Sequence, residues 1–259
     1  MPELPDVEGW RRYLAEHAQG RRIAGVDVLD REIVRNRSPQ SLGRALRGAR
    51  FAVPDRHGKW LIAPAGDVRL LLHFGMTGDL RWAVNADGRH RHDRVVFVCD
   101  GGELRYNNMR RFGGIWLAGD QAELDGVTGP LGPDSASLGR DRFHELLHGR
   151  GGIIKAALMD QRLLAGLGNL LSDETLWRGR VHPGSPVAKL GRIRRDRLYD
   201  GLHAAVGESI PYGRIPRSEG WLTGVRDDRP GSCPRCGTRL RHATIAGRTA
   251  CWCPHCQRR

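Results

Sequence analysis

The feature that most restricts how this chain can fold lies near its end, where Cys233-Pro234-Arg235-Cys236 is followed by Cys253-Pro254-His255-Cys256. Two Cys-x-x-Cys pairs separated by a hairpin-length segment can set four thiolates around one zinc ion. With every position taken by protein, such a site is closed and structural. So short a segment could not hold itself together without the ion. Disulfides are the competing reading, but the paired spacing and the absence of a secretory signal favour metal. Cys99 and Cys251 lack paired spacing; Cys99 is expected in a core and Cys251 as a bystander.

Lys+Arg outnumber Asp+Glu by 42 to 29, a formal charge of +13, and most of the basic residues are arginine. This balance points to a polyanionic partner, although a GC-rich genome would also enrich arginine. Arg239, Arg241 and Arg248 lie between the cysteine pairs, so the finger is expected to be a DNA contact as well as a fold. No apolar run reaches the roughly eighteen residues of a membrane span, and the N-terminus carries acids where a secretory signal would be basic. An intracellular, soluble chain with no membrane partner is expected. Its 259 residues suffice for one large domain or two to three smaller ones.

The chain opens Met1-Pro2-Glu3-Leu4-Pro5-Asp6-Val7-Glu8. Removal of Met1 would leave an N-terminal proline whose secondary amine adjoins a carboxylate. A free α-amine titrates near about 7.7–8.0, against about 10.4 for lysine, so part of it is neutral and nucleophilic at physiological pH. Pro5 in a first turn with Asp6 and Glu8 close behind marks a helix start. Val7, Trp10, Leu14 and Ala18 follow on one face until Gly20. The positive end of that helix would disfavour protonation of an amine held beside it. An ordinary solvated terminus is the alternative.

From Arg22 to Leu117, short β-branched runs broken by Gly, Asp and Pro predict strands at 23–28, 50–53, 59–63, 68–74, 80–84, 95–99, 104–106 and 115–117, with a hairpin turn at Asp100-Gly101-Gly102. Arg56-His57-Gly58-Lys59-Trp60 reads equally as a phosphate-binding turn or a solvated basic one. Met76, in His73-Phe74-Gly75-Met76-Thr77-Gly78, is a core residue or a probe. Asn107-Asn108-Met109-Arg110-Arg111-Phe112 presents a wedge to stacked bases or tucks its Phe inward. After Leu131-Gly132-Pro133 the period turns helical: one helix around Phe143–Leu147, another over 153–164, and a third beginning at Asn169 as its cap and running to about Arg178. Two helices joined at Gly166-Leu167-Gly168 could grip a DNA backbone or merely connect a bundle. A longer amphipathic helix carries Leu198, Leu202, Ala205, Val206 and Ile210, and Pro211–Ser232 reads as a linker or loop.

In this order, Pro2-Glu3-Leu4-Pro5, His73-x-Gly75-Met76-x-Gly78, Arg110-Arg111-Phe112-Gly113, Leu131-Gly132-Pro133, Gly168-Asn169 and the terminal cysteines resemble the formamidopyrimidine-DNA glycosylase and endonuclease VIII family across the whole chain. Leu4 points to the formamidopyrimidine branch, as a divergent, actinobacterial-like member. The resemblance implies an α+β fold: an N-terminal β-sandwich with a catalytic N-terminal helix (1–130), a helix-two-turn-helix domain (131–222) and a C-terminal zinc-finger β-hairpin (223–259). It also implies a base excision repair enzyme, a bifunctional glycosylase and abasic-site lyase for oxidised or ring-opened bases, cutting by β,δ-elimination. Pro2 would attack C1′, Glu3 would serve as acid and base, and Lys59 would contact the lesion's phosphate or help the chemistry. His73, Asn169 and Arg248 would clamp phosphates, while Glu174 matches a carboxylate near the amine. Met76, Arg110 and Phe112 would fill the void left by the flipped base, which must leave the stack for C1′ to be reached. Cys233, Cys236, Cys253 and Cys256 would hold one structural zinc. The expected partner is double-stranded DNA with an oxidised base or abasic site, and the expected state is a monomer in the cytoplasm, at the nucleoid.

Four departures stand out. Asp6 replaces a common Glu, Asn107-Asn108-Met109 replaces an Asp-Pro lead, Leu171 replaces a tyrosine, and the stretch before Cys233 is short. The last predicts poor processing of 8-oxoguanine relative to abasic sites and ring-opened purines. A damaged-DNA binder that has lost its chemistry is the alternative, and Pro2 with Glu3 speaks against it. A ribosomal or transcriptional zinc-ribbon protein would leave the N-terminus unexplained.

Overall fold

The computed structural model describes residues 2–84 and 88–259, so the expectation that Met1 is removed concerns a residue outside those described. In chain order the elements are α1 (Leu4–His17), β1 (Ile23–Val28), α2 (Pro39–Leu46), β2 (Asp55–His57), β3 (Trp60–Ala65), β4 (Val68–His73), β5 (Gly78–Ala83), β6 (Asp93–Cys99), β7 (Gly102–Asn108), β8 (Gly114–Ala118), α3 (Gln121–Thr128), α4 (Arg140–Leu147), α5 (Ile154–Met159), α6 (Asn169–Arg178), α7 (Arg192–Ser209), α8 (Leu222–Val225), β9 (Arg241–Ile245) and β10 (Arg248–Trp252). They form two compact units. One comprises Val7–Pro130 with Pro2, the other Leu131–Arg259 with Glu3–Asp6.

The first unit is a β-sandwich of two antiparallel four-stranded sheets, ordered β1-β6-β7-β5 and β2-β3-β4-β8. Alternation along β3 shows how the sequence encodes it: Leu61, Ala63 and Ala65 are buried while Trp60, Ile62 and Pro64 are half-exposed. Val7, Leu14 and Ala18 of the predicted apolar face join Ile23, Phe51, Phe97 and Tyr106 in this core. Cys99 is buried there as expected, its thiol pushed up to about 11 by desolvation. Asp100-Gly101 makes the β6–β7 turn with Cys99 opposite Gly102, and Gly101 takes the left-handed conformation such a turn needs (φ 81°). Residues 50–53 make only isolated bridges through Arg50 and Phe51, a correction to the expected strand. Two helices, α2 and α3, lie where no helix is expected from the sequence, although α2 has a readable start: Ser38 caps it through the Ser41 N–H and Pro39 follows.

The second unit packs α4–α7 around Phe143, Leu158, Leu171, Leu198 and Leu202. The predicted helix over 153–164 stops at Met159; the N–H groups of Leu163 and Leu164 turn back to the Asp160 carbonyl, and that of Arg162 to its carboxylate. The supposed linker is structured too. Ile215, Trp221, Leu222, Thr223 and Arg226 are all buried, so Pro211–Ser232 is part of the packing. Trp177 of α6, Leu222 of α8 and Leu240, Cys251 and Cys253 of the hairpin region form a separate apolar cluster.

Candidate active site and nucleic-acid interface

Glu3 fixes the N-terminal segment to the second unit's helix α6. Its side chain is completely buried, and its carboxylate accepts hydrogen bonds from the backbone N–H groups of Gly168 (2.7 Å), Leu170 (2.8 Å) and Leu171 (3.0 Å). It therefore caps α6 from a distance of some 165 residues in sequence. Gly168 must be glycine for this, since a Cβ there would lie 2.5 Å from the carboxyl carbon; at Gly166 a Cβ would meet Leu4. The expected cap, Asn169, is instead the first residue of the helix, and its side chain turns to the finger hairpin. Asp6 accepts the Glu3 N–H (2.8 Å), half of a capping box at the start of α1. Burial and then the neighbouring Glu3 charge raise its pKa to about 6, against the lowering effect of that hydrogen bond. Pro2, which precedes Glu3, is half-buried.

In the first unit, Gly58 and Lys59 form the two-residue turn between His57 and Trp60, with Gly58 left-handed (φ 56°). Trp60 lies opposite His73 in the adjoining strand, their rings 5.0 Å apart. Desolvation, reinforced by the charge of Lys59, lowers the His73 pKa to about 4. His73 Nδ1 accepts the Gly75 N–H (3.2 Å), so the neutral ring carries its proton on Nε2.

The turns carrying Met76 and Arg110–Phe112 abut through glycine. A Cβ on Gly75 would sit 1.3 Å from the Phe112 carbonyl oxygen, and one on Gly113 would sit 2.1 Å from that of His73. Met76 is 37% exposed and Phe112 56%, with the Arg110 guanidinium 4.9 Å above the Phe112 ring. Arg111 points elsewhere, pairing with Asp30 at 2.8 Å.

In the second unit, Asn169 Nδ2 donates to the Thr249 carbonyl (3.0 Å), the residue after Arg248 on the exposed start of β10. That carbonyl also accepts from Lys155 Nζ (3.0 Å) and Arg226 Nη2 (2.7 Å), and both cations hold Asp173, at 2.6 and 2.9 Å. Burial pulls the Lys155 ammonium down and pushes the Asp173 carboxyl up, each against the other's attraction. Sequence reasoning missed this buried cluster. One signal was available: Lys155, one of only three lysines in the chain, interrupts the apolar run Ile153–Leu158. Cys251 proves to be part of it, its N–H donating to Asp173 and its thiol driven up to about 12 by burial. Glu174 is bound to Arg178 (2.8 Å) and the Thr223 N–H (3.2 Å), which ties α8 to α6.

The sulfurs of Cys233, Cys236, Cys253 and Cys256 lie within 4.8 Å of one another. Tetrahedral zinc with bonds of about 2.3 Å requires sulfurs roughly 3.8 Å apart, so the donor set and its spacing suit the ion. Around it, Trp177 Nε1 donates to Cys233 Sγ (3.3 Å), and Gln257 links the Cys253 N–H to the Val181 carbonyl. These bonds would anchor a bound ion to α6 and to the turn after it.

A model of the formamidopyrimidine-DNA glycosylase N-terminal domain matches residues 1–115, and one of the formamidopyrimidine-DNA glycosylase H2TH domain matches residues 131–218. The chain belongs to the formamidopyrimidine-DNA glycosylase family. Curated members of that family include the Alkalilimnicola ehrlichii enzyme, 35% identical over the full length of both chains, and that of Stenotrophomonas maltophilia, 36% identical over the full length of both. Among solved structures, the Lactococcus lactis formamidopyrimidine-DNA glycosylase bound non-covalently to DNA containing an abasic site superposes with a TM-score of 0.91 at 30% identity, covering 99% of this chain and all of that one. A point mutant of the same enzyme, in complex with DNA containing a formamidopyrimidine-deoxyguanosine, gives 0.90 at 30% identity with full coverage of both chains. The α+β fold of these relatives, sandwich, helical domain and cysteine-bearing hairpin, is the fold found here.

Proposed function

We propose that the chemistry of this chain begins at the amine of Pro2, beside a carboxylate that the α6 N-terminus holds in place. As a member of its family, the chain is a DNA glycosylase with abasic-site lyase activity, acting on oxidised or ring-opened bases and abasic sites. Its partner is duplex DNA carrying such a lesion. The observation that carries the mechanistic reading is the fixed, fully buried Glu3 carboxylate immediately after the residue that becomes the N-terminus. In this reading the Pro2 nitrogen attacks C1′ and the glycosidic bond breaks, its electron pair leaving with the base, which takes up a proton. The attacking nitrogen gives up its own proton, the C1′–O4′ bond opens with Glu3 as the acid that protonates O4′, and the nitrogen lone pair closes the C1′=N+ bond. The resulting iminium draws electrons from C2′ as a proton is lost there, expelling the 3′ phosphate, and a second elimination expels the 5′ phosphate.

The supporting roles follow the geometry within each unit. Lys59 and His73 lie at one end of the β3–β4 pair and serve the lesion's phosphates, His73 as a neutral donor. Met76, Arg110 and Phe112 form one exposed group and enter the stack as the base leaves. Asn169 and Arg248 flank the Thr249 carbonyl and serve as phosphate contacts of the second unit. Zinc, held by the four cysteines, shapes the hairpin that presents Arg248. Residues 1–130, 131–222 and 223–259 thus divide the work into catalysis, backbone grip and finger. We place the enzyme in the cytoplasm, where its substrate is, as a divergent, actinobacterial-like member of the family.

The lesion preference is part of the same proposal. Because the stretch before Cys233 spends Trp221, Leu222, Thr223 and Arg226 on packing, little of it is free to fold over a base. Abasic sites and ring-opened purines are therefore processed better than 8-oxoguanine. Comparable excision rates for 8-oxoguanine and formamidopyrimidine in matched duplexes would refute this. The imine mechanism is tested by borohydride trapping on an abasic-site duplex. The zinc-loaded, processed protein should form a covalent adduct that Pro2→Gly, or retention of Met1, abolishes. A processed parent that forms none would be the non-catalytic damaged-DNA binder.

A further inference from the structure

Asn108 lies in the lead into the Arg110–Phe112 turn, is completely buried, and uses every hydrogen-bonding site of its amide. Its Oδ1 accepts from the Arg111 N–H (3.0 Å) and the Thr77 hydroxyl (3.3 Å). Its Nδ2 donates to Tyr106 Oη (2.9 Å) and to the Phe74 carbonyl (3.5 Å), while Tyr106 itself donates to the His73 carbonyl (2.9 Å). Thr77 closes the circuit, its Oγ1 accepting the Arg110 N–H (3.1 Å). One side chain thus bonds to both turns of the exposed group, the 74–77 turn that carries Met76 and the 110–112 turn that carries Arg110 and Phe112.

The far side of the second turn is held as well. Arg111 adopts φ 58° and pairs with Asp30, and Arg35 donates to the carbonyls of Arg111 (2.9 Å) and Gly113 (2.7 Å). Arg110 and Phe112 therefore project from a backbone bonded on both sides of Arg111. A wedge works only if its side chains arrive together and do not yield when pressed into stacked bases.

We propose that Asn108 and Thr77 are positioning residues for base extrusion, locking the Met76 turn to the Arg110–Phe112 turn so that the three exposed side chains enter the duplex as one rigid wedge. This rests on the reading of Met76, Arg110 and Phe112 as the wedge. Neither Asn108 nor Thr77 needs to touch DNA. Their loss slows extrusion while leaving the imine chemistry at Pro2 intact.

The test uses the full zinc-loaded chain and a duplex with a formamidopyrimidine lesion beside 2-aminopurine, whose fluorescence rises as the lesion unstacks. Thr77→Val keeps the shape but removes the hydroxyl, and Asn108→Leu removes the amide. Each should slow the rise about fivefold or more, the kinetic equivalent of roughly one lost hydrogen bond. Thr77→Ser, which restores the hydroxyl, should return the rate to within about twofold of the parent, and borohydride trapping on a preformed abasic site should change by no more than about twofold in any variant. The inference is overturned if Thr77→Val and Asn108→Leu extrude at the parent's rate, if Thr77→Ser fails to rescue, or if trapping falls as far as extrusion, which would mark a general structural role. Arg110→Ala and Phe112→Ala separate the two claims. If they leave the rise unchanged, the wedge reading fails and the inference with it; if they slow it and Thr77→Val does not, only the inference fails.

Discussion

At Glu3 one carboxylate closes the N-terminus of α6 through three backbone N–H groups, on the residue that follows the proposed nucleophile in sequence. Glu3→Ala leaves those donors buried without an acceptor and should destabilise the protein by about 2–4 kcal/mol, read from urea unfolding. Glu3→Gln keeps one acceptor oxygen but turns an NH2 toward a donor, so it should fall between the parent and Ala; a Gln variant as stable as the parent would mean the three bonds contribute little. Asp6 gives a prediction of opposite sign. Its folded pKa, about 6, lies above the ordinary 3.8 because burial and the Glu3 charge disfavour ionisation. Its stabilising contribution is therefore full below about pH 4 and is lost as the pH rises through about 6. Asp6→Asn retains an acceptor for the Glu3 N–H and carries no charge. It should be more stable than the parent by about 1–3 kcal/mol at pH 7–8, with the difference closing by pH 4, as thermal melts across that range would show.

The hairpin β9–β10 and helix α6 depend on each other through a buried ion cluster. Lys155 and Asp173 are both fully buried, so removing one partner strands the other's charge in an apolar setting. Lys155→Met should cost about 3 kcal/mol of stability, moderated because Arg226 still holds Asp173. It should also weaken DNA binding by loosening the Thr249 carbonyl beside Arg248; a variant with parental stability and affinity would show the cluster to be dispensable. Zinc removal acts on the same element from the other side. Apart from Cys233, Cys251, Cys253 and Gln257, the hairpin region buries only Leu240 and Ala250 as side chains among the described residues, so chelation should unfold it and abolish specific DNA binding, with recovery on adding zinc. Protection of the β9–β10 amides in hydrogen exchange, with and without chelator, measures this.

Over the whole molecule, a formal charge of +13 is set against a duplex carrying a phosphate charge about every 1.7 Å of its axis. If some six phosphates are neutralised, affinity should fall about a thousandfold between 50 and 200 mM salt, and a shallow slope would trace the arginine content to genome composition. Much of this protein was legible in its residues taken in order. The helix from Leu4, most strands of the sandwich, the turns at Gly58-Lys59 and Asp100-Gly101, and the four-cysteine cluster follow from periodicity, turn chemistry and spacing, which act over a few residues. Contacts between segments far apart in the chain were not legible. Nothing local at Asn169 says that its helix is capped by Glu3, nothing in the polar stretch from Pro211 says that Thr223 and Arg226 are buried, and Lys155 has no neighbour in sequence that explains its charge. By itself the sequence determined which groups are present, a proline and a carboxylate side by side near the start and four thiols in pairs. Only the tertiary structure decided what holds each group in place, because a buried polar atom takes whatever partner the packing brings to it.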